Sequence, residues 1–250
     1  MPGAGRGPGS GGARRPAPEL VEAAAHLLVD DLEEPALGAE ERHHLARVLR
    51  LRRGEAVTIS DGAGRWRPCR WDGSNRLHPD GPIMAEDRPT PPVAVGFSLV
   101  KGQRPEWAVQ RLTEVGVDRI LLLVAERSVV RWEGQRGEQH MQRLKRVARA
   151  AAMQSRRVWL PVVEPPAPSC GVLAELGQGG GAALADMGGR PLSLDHPIVL
   201  VGPEGGWAPP ELAEGLPVVG LGPTVLRAET AAVVAGTLLC ALRAGVVSAG

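Results

Sequence analysis

The stretch Ile198-Val199-Leu200-Val201-Gly202-Pro203-Glu204-Gly205-Gly206 joins a short apolar run directly to a turn rich in glycine. An apolar run bounded by turn residues predicts a buried strand that ends in a tight loop. The pattern recurs downstream, where Val218-Val219-Gly220-Leu221 leads into Gly222-Pro223. Glycine has no Cβ, so the backbone of such loops can approach a ligand closely. Two of these loops at the carboxyl ends of neighbouring strands predict a ligand cleft.

The composition indicates an ordinary globular protein. Of the 250 residues, 43% are hydrophobic and 23% are charged, with a net charge of +1. This length permits one large domain or two smaller ones. The three cysteines, Cys69, Cys170 and Cys240, lack C-x-x-C spacing, so neither a metal site nor a disulfide framework is predicted. The sequence shows no secretory leader and no apolar segment of membrane-spanning length, so a cytoplasmic location without membrane contact is expected.

Hydrophobic periodicity divides the chain into several segments. Residues 1–18 lack an apolar pattern and are predicted to form a disordered tail. Residues 19–88 predict a small β-rich domain, and 89–92 a proline-rich linker. From 93 to 250 strands and helices alternate, which indicates an α/β fold with a mostly parallel sheet. The elements predicted there include helices over 105–115, 137–154, 172–176 and 230–244, and strands over 119–124, 159–163 and 182–185.

Arginine is concentrated in two parts of the chain. Between positions 42 and 76 there are nine arginines and three acidic residues, and between 127 and 157 nine basic and two acidic residues. Clustered arginines are the electrostatic footprint of a phosphate-backbone partner. A solvated charged surface would give the same composition, so the clusters alone leave both interpretations open.

Three motifs together carry a family resemblance. The second glycine loop continues as Leu226-Arg227-Ala228-Glu229-Thr230-Ala231, about twenty residues after the first loop. This pair resembles the AdoMet-binding signature of the SPOUT methyltransferases, and more closely that of the ribosomal RNA small subunit methyltransferase E family. The stretches 44–51 and 154–157 are also similar to that family.

The resemblance implies a fold and an activity. The expected fold is a C-terminal SPOUT-type α/β domain with a deep trefoil knot, preceded by a PUA-like β-barrel. The expected activity is AdoMet-dependent methylation of N3 of a uridine in 16S rRNA, during ribosome maturation. A homodimer that acts on 16S rRNA or the 30S subunit, without a metal, is also implied.

The resemblance assigns roles to particular residues. Arg227 and Glu229 are the candidate catalytic residues, although Glu229 could equally hold Arg227 or cap the final helix. Glu204 is a second candidate base that could instead stabilise its loop. The expected cofactor-binding residues are Val201, Gly202, Pro203, Glu204, Gly205, Gly206, Leu221, Gly222, Leu226, Arg227, Thr230 and Ala231. The expected RNA-binding residues are Arg47, Arg50, Arg52, Arg65, Lys101, Arg127, Arg156 and Arg157.

Three other functions stay open at this point. A SPOUT enzyme with a different RNA target would share the same loops. An rRNA-binding assembly factor that has lost turnover would keep the N-terminal domain. A phosphate-binding enzyme is disfavoured because the first loop lacks the Gly-Lys-Ser/Thr ending of a nucleotide-binding loop.

Overall fold

The computed structural model describes residues 17–128, 130–212 and 214–248. The prediction of a disordered tail falls almost wholly outside them, although Pro18 is the first residue of helix α1 (Pro18–Glu22). The first half of the fold is a five-stranded sheet in which β1 and β2 are parallel and the other pairs are antiparallel. Its strands are β1 (Ala25–Leu28), β2 (Ala56–Ser60), β3 (Arg65–Trp71), β4 (Leu77–Pro79) and β5 (Met84–Ala85).

β3 contributes buried side chains to two apolar clusters, Cys69 and Trp71 to one and Trp66 to the other. Trp66, Cys69 and Trp71 are buried, whereas Arg65 and Arg70 are exposed. A helical segment between β1 and β2 consists of α2 (Ala39–His43) and a π-helical turn that continues it as far as Val48. Leu45 in that turn is fully buried against the sheet, whereas Val48 and Leu49 are exposed.

The second half is a seven-stranded sheet whose pairs are all parallel. Its strand order is β12-β10-β11-β6-β7-β8, and β9 also pairs with β7. Four apolar strands lie at the centre, as expected for a sheet covered on both faces. The strands are β6 (Ala94–Ser98), β7 (Arg119–Val124), β8 (Val162–Val163), β9 (Ala167–Pro168), β10 (Ala182–Arg190), β11 (Ile198–Val201) and β12 (Val218–Val219).

Helices pack on both faces of this parallel sheet. α3 ends at Gly116, whose φ of 106° is the left-handed conformation that glycine adopts at a helix end. α7 lies against β6, β11 and α3, and Ala232, Ala235 and Leu239 are buried in this contact. The helices are α3 (Arg104–Val115), α4 (Gly134–Gln154), α5 (Ser169–Gly179), α6 (Pro209–Leu212) and α7 (Ala228–Arg243).

Polar contacts and one cation–π contact join the two sheets. The Ser60 hydroxyl donates to the Val158 carbonyl over 3.2 Å, and the Trp159 indole N–H donates to the Glu86 carbonyl over 3.1 Å. The Arg88 guanidinium lies 4.7 Å from the centre of the Trp159 ring. Glu86 and Arg88, which directly precede the predicted linker 89–92, are therefore both in contact with Trp159.

Most predicted elements are found in the structure, and three of them differ clearly in their bounds. The predicted strand 159–163 is reduced to its last two residues, because Trp159 instead bridges Ala63 in the N-terminal half. The helix predicted over 172–176 is the longer α5, and the strand predicted over 182–185 extends to Arg190. The sequence analysis did not predict β1, whose four residues are all buried.

Candidate functional site

The two glycine loops meet at one edge of the parallel sheet. β10, β11 and β12 point the same way, so the loops after their carboxyl ends are neighbours. Between these loops and the start of α7 lies a cavity of about 340 Å³. Its lining consists of Ala185, Asp186, Met187, Val201, Gly202, Pro203, Glu204, Gly206, Trp207, Leu221, Gly222, Thr224, Val225, Leu226, Arg227, Ala228 and Ala231.

The first loop is shaped by a tryptophan that packs over a glycine. A Cβ added to Gly202 would lie 3.0 Å from the Trp207 ring, so a side chain there would displace the indole. Trp207 is 5% exposed, and its indole N–H donates to the Ala185 carbonyl over 3.3 Å. Gly206 closes the turn with its N–H 2.8 Å from the Pro203 carbonyl. Trp207 therefore fixes the loop against the middle of β10.

The second loop depends on a close approach between two backbones. A Cβ on Gly189 would lie 2.3 Å from the Val219 carbonyl carbon, and one on Gly220 would lie 2.9 Å from the Gly189 oxygen. The Gly220 N–H donates to the Arg190 carbonyl over 2.8 Å. Only glycine fits at this crossing, which sets the position of Leu221 and Gly222 in the cavity wall.

Arg227 stands where the second loop enters α7. It is the residue before the first helical one, with φ −67° and ψ 153°, and its carbonyl accepts the Ala231 N–H over 2.8 Å. Its side chain is exposed, lines the cavity and forms no ion pair with any described residue. The guanidinium is therefore available to an anionic ligand.

Glu229 lies in the first turn of α7 and is buried, with 7% of its side chain exposed. It does not bind Arg227, and its side chain makes no capping hydrogen bond at the Arg227 N-cap. Its partner is Arg104, whose guanidinium lies 3.5 Å from the Glu229 Oε1 atom and 3.3 Å from the Glu204 Oε1 atom. Arg104 is not among the site residues predicted from the sequence.

Gly205 and Thr230 are the two predicted cofactor residues outside the cavity lining. The carbonyl of Gly205 points away to accept a hydrogen bond from Arg127 over 2.7 Å. Arg127, predicted to bind RNA, is exposed and thus also supports the first loop.

A buried carboxylate anchors the other side of that loop. Glu211 is fully buried in α6 and accepts hydrogen bonds from the Ala208 N–H over 2.7 Å and from the Glu126 N–H over 3.2 Å. It also accepts a hydrogen bond from the Ser169 hydroxyl. These contacts connect α5, the end of β7 and the residues after Trp207. Periodicity gave no sign of this role, because the partners are remote in sequence.

The predicted RNA-binding residues differ in their accessibility. Six are exposed, namely Arg47, Arg50, Arg52, Arg65, Lys101 and Arg127, and Arg156 is half-buried. The prediction for Arg157 is corrected by the structure. Only 14% of its side chain is exposed, and its guanidinium pairs with buried Asp118 at 3.7 Å. It also donates to the Thr113 and Val117 carbonyls over 2.8 and 2.9 Å, so it holds α3 and β7 together rather than facing a partner.

Seven cavity-lining residues were not predicted. Asp186 had a usable signal, since it follows an apolar strand, as ligand-binding residues in α/β folds often do. Trp207 directly follows the first glycine loop, but nothing in the sequence shows that it folds back over Gly202. The unpredicted residues are Ala185, Asp186, Met187, Trp207, Thr224, Val225 and Ala228.

Metal-ligand geometry is not found among the residues that the structure describes, where no group of three or more His, Cys, Asp or Glu side chains could hold an ion. Over the same residues, no helix combines the length and apolar character that a bilayer crossing requires.

Comparison with known families gives a direct match. The family model for an RNA methyltransferase domain matches residues 86–240, which is more than half of the chain. The chain belongs to this RNA methyltransferase family. The model for an RNA methyltransferase PUA domain matches residues 37–70, which contain the helical turn, β2 and most of β3. Each half of the fold thus has its own counterpart in this family, and the resemblance inferred from the motifs is confirmed.

Relatives within the family cover most of the chain. Ribosomal RNA small subunit methyltransferase E of Mycobacterium bovis is 35% identical over 214 residues, which span 78% of this chain and 82% of the relative. The protein of the same name from Synechocystis is 32% identical, over 80% of this chain and 70% of the relative. A solved ribosomal RNA small subunit methyltransferase E from Neisseria gonorrhoeae, bound to S-adenosyl methionine, superposes with a TM-score of 0.71 at 25% identity, over 87% of this chain and 97% of that one.

Proposed function

We propose that this RNA methyltransferase transfers the methyl group of AdoMet to N3 of a uridine in 16S rRNA, within the 30S subunit or its precursor. The observation that carries the proposal is the cavity at the carboxyl ends of β10, β11 and β12, where both glycine loops and Arg227 converge. The relatives named for methylation of small-subunit rRNA support the substrate class. The similarity to their family is what implies N3 of uridine.

The cavity fits a ligand of the size and mixed polarity of AdoMet. Its volume of about 340 Å³ is within the range of small-molecule sites, roughly 300–1,000 Å³. Val201, Leu221, Leu226 and Ala231 offer apolar walls, and Gly202 and Gly222 leave backbone accessible. The related structure with bound S-adenosyl methionine supports the same cofactor here. When bound, AdoMet supplies an electrophilic methyl group.

The chain's own residues must then bring the base into line and manage its charge. Uracil is a weak acid at N3, and its anion is the nucleophilic form. Arg227 is exposed at the cavity and free of ion pairs among the described residues, so we assign it to a phosphate of the RNA or to the developing uracilate charge. Glu229 and Glu204 are the candidate proton acceptors near the site. Positioning alone can supply about 7–11 kcal/mol of the rate enhancement.

The exposed arginines of the N-terminal half complete the proposal. Arg47 lies in the helical turn, Arg50 and Arg52 follow it closely in sequence, and Arg65 starts β3; all four are exposed. Guanidinium groups grip phosphate in a bidentate manner and stack on bases, which suits an RNA partner. We assign these residues, with Lys101 and Arg127, to contacts with rRNA.

A trefoil knot and a homodimer belong to the same proposal. After β11 the chain passes to β12, on the far side of β10, and α7 then returns across β11 and β6. This crossing supports the knot that the family resemblance implies.

A dimer would be tested by light scattering of the purified protein, where a monomeric mass at micromolar concentration would remove it from the proposal.

The decisive experiment combines binding with product mapping. AdoMet is titrated calorimetrically into the purified protein, and 16S rRNA from a deletion strain is mapped by mass spectrometry with and without the restored gene. Binding together with loss of one N3-methyluridine in the deletion strain supports the proposal. Binding with that uridine still methylated points to another RNA target, and absence of binding favours a non-catalytic assembly factor.

A further inference from the structure

Arg104 connects two walls of the cavity without lining it. Its guanidinium lies within 3.5 Å of carboxylate oxygens on Glu204, in the first glycine loop, and on Glu229, in the first turn of α7. Its Nε atom also donates to the Lys101 carbonyl over 3.1 Å, which holds the side chain over the start of its own helix. One side chain thus contacts three segments that are far apart in sequence.

The sheet order brings these three segments together. β6 and β11 are adjacent and parallel, so the residues after them, Arg104 and Glu204, leave the sheet at the same edge. α7 packs on α3, which places Glu229 beside the first residue of α3. The contact therefore follows from the topology of the sheet rather than from a flexible surface encounter.

Arg104 supplies the positive charge that a buried carboxylate, Glu229, requires. Glu229 is nine-tenths buried, and its Oε2 atom has no hydrogen-bond partner among the described residues. Within the same described part of the chain, Arg104 is the cation found within 4.0 Å of this carboxylate. A buried carboxylate that loses its counter-charge is strongly destabilising. The same guanidinium also pairs with Glu204, so a single cation serves carboxylates on both segments.

We propose that Arg104 is a positioning residue, which holds the loop 202–206 and the start of α7 at the separation that the cavity needs. The proposal rests on the proposed function, since it assigns the cavity to AdoMet. Arg104 acts through Glu204, which lines the cavity, and through the α7 turn that carries Arg227 and Ala231. It touches neither the cofactor nor the base in this assignment.

The test compares three variants of the full-length protein. Arg104→Gln removes the charge, Arg104→Lys keeps a charge but not the planar fork, and Arg111→Gln removes a half-exposed arginine of the same helix that pairs with Glu114. Arg104→Gln is expected to weaken AdoMet binding about tenfold, equivalent to about 1.4 kcal/mol, and to lower kcat for rRNA methylation. Arg104→Lys is expected to recover part of the loss, and Arg111→Gln to behave as wild type.

A double variant separates positioning from general loss of stability. Because Arg104 acts partly through Glu204 and partly through the α7 turn, the binding defect that Arg104→Gln causes is expected to be smaller in a Glu204→Gln background than in the wild type. Fully additive defects in the double variant would contradict the proposal, as would wild-type affinity and kcat in Arg104→Gln.

A measurement without ligand keeps the inference separate from the proposed function. Hydrogen exchange of the ligand-free protein is compared for segments 202–206 and 228–232. Exchange that is about tenfold faster than in the wild type in both segments of Arg104→Gln, without change in β7, supports the role of Arg104 in holding the two segments. Unchanged exchange there would overturn it. Absence of AdoMet binding by the wild type would contradict the proposed function, while this exchange comparison would still decide the role of Arg104.

Discussion

The two sheets of the molecule present their polar side chains in different ways. In the N-terminal sheet most neighbours are antiparallel, and arginines along its strands pair with nearby acids, such as Arg65 with Asp61 and Arg70 with Asp80, each at 2.7 Å. In the C-terminal sheet every pair is parallel, so loops from remote parts of the chain collect at one edge and enclose a cavity. The parallel sheet thus forms a concave site from residues that are distant in sequence. The N-terminal sheet instead presents a charged surface on which these two ion pairs join residues that are near in sequence.

The largest effect is expected when Arg227, which lines the cavity of the parallel sheet, is replaced. We expect Arg227→Ala to lower the methylation rate about 10³-fold, as loss of a charge-stabilising donor does elsewhere. The thermal midpoint should change little, because the side chain is exposed and forms no ion pair with the described residues. A single-turnover methylation assay and a melting curve measure both effects. Wild-type turnover would exclude Arg227 from the mechanism.

The next largest effect is expected at Glu211, the buried anchor of the first loop. Glu211→Ala leaves two backbone N–H groups and the Ser169 hydroxyl without their acceptor. We expect a loss of about 3 kcal/mol in the free energy of unfolding, measured in urea.

The matched control for that experiment is Glu214→Ala, since Glu214 is exposed. It should stay within about 0.5 kcal/mol of wild type. Equal losses in the two variants would show that the Glu211 contacts do not stabilise the loop.

His26 carries a pH dependence in the N-terminal half. It is buried beside Thr58, with 2.8 Å between the ring Nδ1 and the hydroxyl, and burial lowers its pKa from 6.5 to about 4. The unfolded chain therefore binds the extra proton more readily, so stability is complete above pH 6.5 and declines as the pH falls toward 4. At pH 5 we expect a loss of about 2 kcal/mol.

Unfolding in urea at pH 7 and pH 5 measures this loss. His26→Asn should show a smaller difference between the two pH values, whereas His43→Asn, at an exposed histidine, should keep the wild-type difference. A pH dependence that is the same in His26→Asn and wild type would assign the effect to other groups.

The smallest effect concerns the charged surface itself. Arg52→Gln is expected to weaken binding of a 16S rRNA fragment about threefold and to lower the salt slope by about one, without altering AdoMet affinity. Arg70→Gln serves as the control, because Arg70 is already paired with Asp80. Equal losses in both variants would show that binding follows net charge rather than the exposed arginines.

Local pattern was sufficient for much of the fold. β7 matches its predicted range, and α3 ends at the predicted residue, Val115, because an apolar run and a glycine after a helix are properties of neighbouring positions. The glycine loops were likewise predicted to form a cleft, and ten of the twelve residues assigned to it line the cavity. Arg157, one of the residues expected to contact RNA, is instead buried against Asp118.

What the sequence by itself determined is the apolar strands and the longer helices of the C-terminal half, the two glycine loops and the family motifs, since each depends on residues within one turn or strand of each other. Only the tertiary structure decided that Arg104 joins Glu204 to Glu229, that Glu211 anchors the first loop and that Trp207 covers Gly202. Three of these contacts join residues 85 to 125 positions apart, namely Glu126 with Glu211, Arg104 with Glu204 and Arg104 with Glu229. Which remote charges meet is set by the order of strands in the sheet, and that order is a property of the packed core rather than of any local stretch.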